Sequence, residues 1–222
     1  MFKNLITLIL AAVCCTGVFA QSKADSSKTV RPKGVNLSLG FEPIFAFNNC
    51  FKTDLEVKPL SRNFGIEVTP EIYAASHILN NQHDDISGFG LGLYHKLYLN
   101  TGDNNRVMIA YGATYRHIDV TYQDEGFIPF TQNGLDYYQY KNFTDVLKNT
   151  SVLANIYVSA RAVDIPNSFF LDAYMGGGYK FAKQESMYSG FRAYNALMYD
   201  YGHKGFVFLL GIKLGLQFAM KK

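Results

Sequence analysis

Tryptophan is absent from this chain, and cysteine occurs only three times and proline six times in 222 residues. Two of the cysteines, Cys14 and Cys15, lie within the first twenty residues. With that segment removed, Cys50 stands alone, so a disulfide-stapled secreted domain is excluded. After residue 20 no apolar run approaches the ~18 residues that a membrane-spanning helix requires. A formal net charge of +3 is too small to argue for a nucleic-acid partner. His77, His83, His95 and His203 are scattered and show no zinc-ligand spacing, and no metal or cofactor is expected. Asp84, Asp85 and Asp103 read as turn acids. Gly176-Gly177-Gly178 does not open a helix, so it is no phosphate loop.

What the chain does have is a secretory start. Lys3 supplies a basic n-region, residues 5–13 form a short apolar core, and Val18-Phe19-Ala20 is a small-x-small cleavage site. Residues 1–20 therefore read as a signal peptide cut near Ala20. The alternative is lipidation at Cys14 or Cys15, but Val13 is bulky for the position preceding a modified cysteine. Residues 21–33 are polar and aperiodic and read as a flexible periplasmic lead-in. Residues 34–222 then form a single domain, with the Gram-negative outer membrane as the expected destination.

Tyrosine and phenylalanine are abundant, with 16 and 18 copies, and glycine is frequent with 19, a profile that favours strands joined by turns. Alternation with a period of two runs through the domain. It is clearest in 205–222, where Phe206, Phe208, Leu210, Ile212, Leu214, Leu216 and Phe218 occupy every second position. Successive side chains of a strand point to opposite faces, so one face is wholly apolar. The same pattern predicts strands over 34–47, 52–58, 64–75, 86–99, 106–122, 151–162 and 169–181. The segment 52–58 carries the thinnest pattern, and an even strand count depends on it. Pro70 would be tolerated only at a bulge or irregular position. The connections 59–63, 100–105 and 164–168 are short, whereas 123–150 and 182–203 read as long polar-aromatic loops.

Short turns on one side and longer loops on the other are the pattern of outer-membrane barrels. The expected fold is all-β, an eight-stranded antiparallel up-and-down transmembrane β-barrel. Phe45, Phe47, Tyr111, Tyr115, Tyr179, Phe181 and Phe206 are the expected aromatic girdles. The inside-out alternative is a soluble periplasmic barrel that turns its apolar face inward around an apolar ligand.

The segment Lys213-Leu214-Gly215-Leu216-Gln217-Phe218-Ala219-Met220 fits the polar-x-Gly-x-x-apolar-x-apolar assembly signal at the end of outer-membrane barrels, carried by Lys213, Gly215, Phe218 and Met220. Together with FGIEVTPEIY at 64–73, GFGLGLYHKLYL at 88–99 and MIAYGATYRH at 108–117, the region 34–220 resembles the small outer-membrane β-barrel families common in Bacteroidetes-type bacteria. The resemblance implies a fold and a location, with outer-membrane lipid, lipopolysaccharide and the barrel-assembly machinery as partners of a monomer. It implies very little mechanism.

The opposite face of the strands collects Glu67, Glu71, Lys96, Arg116, Arg161, Asp172 and Lys213, with Glu42, Asp54, Glu56, Lys52, Lys58, Lys180 and four tyrosines among them. Because lone buried charges are costly, these should pair and fill the interior. A narrow, weakly conducting ion path is the functional alternative. Gly88, Gly90 and Gly92 should relieve crowding beside large interior neighbours. For catalysis the best local candidate is His117 with Asp119, plus Ser186 or Ser189, as in a lipid-modifying enzyme. No nucleophile motif accompanies it, and no catalytic residue is expected. The outer loops are the better functional candidates. Tyr137, Tyr138, Tyr140, Tyr188 and Tyr194 suit adaptable surface recognition.

Overall fold

The computed structural model describes residues 34–74, 85–99, 107–188, 197 and 200–221. Eight strands run in chain order: β1 (Gly34–Phe41), β2 (Cys50–Pro59), β3 (Phe64–Ala74), β4 (Asp85–Leu99), β5 (Val107–Gln132), β6 (Leu135–Asp164), β7 (Phe169–Glu185) and β8 (Gly205–Lys221). Each pairs antiparallel with its neighbours, and β1 pairs with β8, so the sheet closes into an up-and-down barrel. The thin 52–58 pattern is a full strand, β2, in register with both neighbours. The signal-peptide and lead-in segments, 1–20 and 21–33, lie outside the described residues.

Apolar side chains face outward. Leu93 and Leu210 are 60% and 62% exposed, and Leu55, Ile66, Leu91, Ile156, Met175 and Phe218 share this outer surface. The charged side chains face inward. Glu67 and Lys96, each 1% exposed, lie among the most buried residues. This is opposite to a soluble barrel around an apolar ligand, so that alternative is corrected: the apolar stripe lies outside. An eight-stranded ring has an interior just wide enough for side chains to fill. A Cβ on Gly90 would lie 2.7 Å from Glu71 Oε2, and one on Gly92 2.8 Å from the Tyr94 ring. Those two glycines make room for the interior filling.

Strand boundaries differ from the sequence expectation, most clearly at the ends of β1 and β7. β1 ends at Phe41 instead of 47, because Pro43 opens a 3-10 helix, Pro43–Asn48, that leaves the sheet. This helix carries Phe45 to the interior apolar cluster and not to an exterior girdle. The fixed φ and missing N–H of proline suit the first turn of such a helix. Pro70 sits in β3 without a bulge, in register with Leu91 of β4. Its missing donor instead coincides with a gap in the β2–β3 ladder, between Lys52↔Glu71 and Leu55↔Val68. β7 continues to Glu185, four residues past 181.

The largest correction concerns 123–150. It is no loop: β5 runs on to Gln132 and β6 begins at Leu135, with a two-residue turn between them. Asn133 and Gly134 have φ of 52° and 78°. Positive φ at both positions is the type I′ geometry that matches strand twist, for which Asn-Gly is the preferred pair. β4 stops opposite Thr121 and β7 opposite Lys148. Beyond them, 122–132 and 135–145 form a two-stranded ribbon, extending the strands by roughly 35 Å.

Two ends of the barrel are thus distinct. The β2–β3 and β6–β7 connections are short turns at one end, here the turn end. The 3-10 helix, the ribbon and the segment after β7 occupy the other, the loop end.

Candidate functional site: the interior network and the loop-end ribbon

The interior is built in layers along the barrel axis. Nearest the turn end, Arg161 grips Asp172 through Nε and Nη2 at 2.8 and 3.1 Å. Its Nη1 donates to Gln217 at 2.9 Å, and its guanidinium lies over the Phe170 ring. A central layer follows. Glu67 accepts from Lys96 at 2.6 Å, Lys213 at 2.8 Å and the Tyr157 hydroxyl at 2.9 Å. Lys96 also reaches Glu56 at 2.8 Å, and Lys213 reaches Asp54 at 3.0 Å. Tyr98 donates to Glu56, and Thr69 donates to Asp54. This layer draws side chains to one place from β2, β3, β4, β6 and β8. Nearer the loop end, Lys52 pairs with Glu42 at 2.8 Å, and Tyr174 donates to the same carboxylate. Arg116 holds Glu71 through Nε and Nη2 at 2.6 and 2.9 Å, and Tyr73 donates to Glu71 at 2.8 Å.

All seven charged residues singled out from the sequence therefore face the interior, each with a counter-charge in contact. Removing a charge from water costs several kcal/mol, which a close, hydrogen-bonded partner offsets. Of the C-terminal assembly residues, Lys213 joins the central layer and Phe218 and Met220 face outward. Gly215 lets the Phe170 ring approach, since a Cβ there would lie 2.4 Å from it.

The loop end carries an apolar cluster of Ile86, Ile118, Val120, Tyr122, Ile128, Phe143 and Leu147, with Cys50 and Tyr73 below and Phe45, Tyr188 and Tyr201 packed against it. Cys50 is buried with a free thiol. Within this cluster lies Asp145, a residue the sequence reading passed over. Its carboxylate accepts from the Tyr122 hydroxyl at 3.0 Å, the Ser186 hydroxyl at 2.7 Å, and the N–H groups of Met187 and Tyr188 at 3.2 and 3.3 Å. It pins the chain after β7 onto the base of the ribbon. Burial pushes the Asp145 carboxyl up, but the bonds from Ser186, Met187, Tyr188 and Tyr122 outweigh it and hold it below the usual carboxylate range. Burial and the bond to Asp145 push the Tyr122 hydroxyl up to about 12. A carboxylate in an otherwise apolar-polar alternation was the available signal.

The candidate recognition tyrosines separate. Tyr137, Tyr138 and Tyr140 stand exposed near the ribbon tip, with Tyr138 71% exposed. Phe127 and Tyr140 pair at 5.2 Å on one face, beside Pro129 and Tyr138, and Phe130 stacks on Tyr137 at 5.5 Å on the other. Tyr188 is half-buried against Phe143 at 4.9 Å, so it belongs to the cluster and not to the tip. Tyr194 lies outside the described residues.

His117 is on the outer surface. Its Nδ1 is 3.0 Å from Thr150 Oγ1, and its Nε2 is 3.5 Å from Asp119 Oδ1. Ser186 is bound to Asp145 and does not join it. Ser189 lies outside the described residues. Among the expected girdle residues, Tyr179 packs on Phe181 at 4.8 Å and on Phe206 at 5.2 Å, and Tyr115 is exposed near Phe89. Tyr111 contacts His95 toward the turn end, and the Phe47 side chain lies outside the described residues.

No family model matches the chain, and no curated protein matches it. Among solved structures, one titled "Crystal Structure of Acinetobacter baumannii CarO" aligns over 85% of this chain and 98% of its own, at 12% identity and a TM-score of 0.39.

Proposed function

We propose that this chain is a monomeric outer-membrane β-barrel of a Gram-negative envelope, related to the small Bacteroidetes-type families, with a structural and surface-binding role and no catalysis. The observation that carries the reading is the division of surfaces: an apolar exterior around a paired, charged interior. In water this arrangement would expose the apolar stripe and bury the interior charges. In a bilayer it satisfies both. The turn end then faces the periplasm, and the ribbon projects from the cell surface. Lipid and lipopolysaccharide surround the belt, and the barrel-assembly machinery inserts the chain after cleavage near Ala20. The central Glu67 layer supports a plugged barrel over an ion path, because five strands contribute to it. The binding role rests on the ribbon, whose tip aromatics are exposed on both faces.

The test is gel migration from the outer-membrane fraction, with and without boiling in SDS, joined to surface labelling of a cysteine placed at Gln139 on intact cells. A compact fast band before boiling and labelling from outside are expected. A protein in the soluble periplasmic fraction with no band shift overturns the reading.

A further inference from the structure

We propose that the loop-end cavity of the barrel is a binding site for a small organic monoanion, a carboxylate carried on a short apolar body. The cavity has a volume of about 100 Å³ between the 3-10 helix and the β5–β8 wall, and its lining includes Phe45, Ile118, Leu153, Val207, Arg116 and Lys180. Most of that lining is apolar, and its two cations differ in an instructive way.

Arg116 is neutralised by the two-point grip on Glu71. The neighbouring Lys52 is neutralised by Glu42. Lys180, 5% exposed, has no carboxylate in contact among the described residues. Its Nζ donates to the Asp200 backbone carbonyl at 2.8 Å. The Asp200 carboxylate is itself turned to the Leu197 N–H at 2.7 Å. Residues 189–199 contain no Asp or Glu, so that stretch has no acid to offer Lys180. An ammonium has three donors, and one carbonyl engages one of them. The other interior cations at the loop end touch a carboxylate, whereas among the described residues Lys180 meets Asp200 and Glu71 only at longer range, so its charge in these largely apolar surroundings is incompletely balanced. A buried charge of that kind is costly unless a counter-charge meets it.

The volume limits the ligand. An apolar cavity of about 150 Å³ holds benzene, so a space of this size holds a body of about four carbons. The apolar lining favours such a body over a bare hydrated ion, and Lys180 provides the contact for its charged end. The site goes beyond surface binding by the ribbon, and the two can fail independently: the band-shift experiment does not depend on Lys180.

The experiment titrates the folded barrel, in uncharged detergent micelles, with butyrate, 1-butanol and chloride, following the amide resonances of Lys180, Tyr201 and Val207. Butyrate should give saturable shifts. 1-Butanol and chloride at matched concentration should not. Lys180→Met should weaken butyrate binding at least tenfold, and Lys180→Arg should retain it. The proposal is overturned by the absence of saturable shifts, by equal binding of 1-butanol, by equal binding of chloride, or by unchanged affinity in Lys180→Met. Should Lys180→Met fail to fold, the comparison of butyrate with 1-butanol on the native chain decides.

Discussion

Asp145 illustrates how one side chain organises the loop end. Besides the adjacent Val146 N–H, it takes four donors from two segments distant in sequence, Tyr122 on one side and residues 186–188 on the other. Asp145→Ala removes the acceptor while leaving those donors, and unpaired buried donors cost about 1–3 kcal/mol. The expected result is faster hydrogen exchange at Met187 and Tyr188 with an intact barrel. Unchanged exchange would mean the segment is held by Phe143–Tyr188 packing alone. The pH dependence has a definite sign. A carboxyl held below its unfolded value contributes stability above that unfolded value, near ~3.9, and loses the contribution as pH falls through the lower folded value. The pin should therefore hold at neutral pH and release only in strong acid, read from the Met187 and Tyr188 amide shifts between about pH 5 and 2. The interior pairs follow the same logic of compensation, and each was visible in the sequence as a charge at an inward parity. Which acid meets which base was not visible, since Glu67 and Lys213 stand 146 residues apart.

At the scale of elements, the β5–β6 hairpin is where reading from sequence failed, and the reason is physical. Within the apolar belt a strand must keep one face greasy, so the period of two is plain. Beyond it both faces meet water or the loop cluster, and Gln, Asp, Asn and Lys are allowed at outward positions. The alternation from Gln123 to Thr150 fades accordingly. The Asn133-Gly134 pair was the surviving signal. Gly134→Val should strain the turn, since a β-branched residue at φ of +78° costs about 1–2 kcal/mol. The expected outcome is lost amide protection across 128–139, with the barrel's band shift unchanged. Retained protection would show that the aromatic pairs Phe127–Tyr140 and Phe130–Tyr137 hold the ribbon without the turn. The 3-10 helix makes a similar point: the expected strand runs through Pro43 to residue 47, whereas Pro43 opens a helix that carries Phe45 to the interior cluster.

For the whole molecule the governing variable is the solvent around the barrel. Leu93 lies on β4 in the middle of the exposed apolar belt. Leu93→Arg should destabilise the inserted barrel by about 2–4 kcal/mol, the cost of a cation at the bilayer midplane. Urea unfolding in lipid vesicles measures this. A change of only a few tenths of a kcal/mol would remove the belt from the hydrocarbon and with it the membrane reading.

The sequence by itself determined the all-β class and the division of the strands into an apolar and a charged or small face, with an eight-strand count that rested on the thin 52–58 pattern. Those properties follow from local parity, which every strand carries in its own residues. Tertiary structure alone decided the partners within the interior, the outward turn of the apolar face, the pin at Asp145 and the place of Lys180 at the loop-end cavity. These depend on which side chains from distant strands arrive at the same height in the ring. Register and closure set that height, and no single segment encodes it.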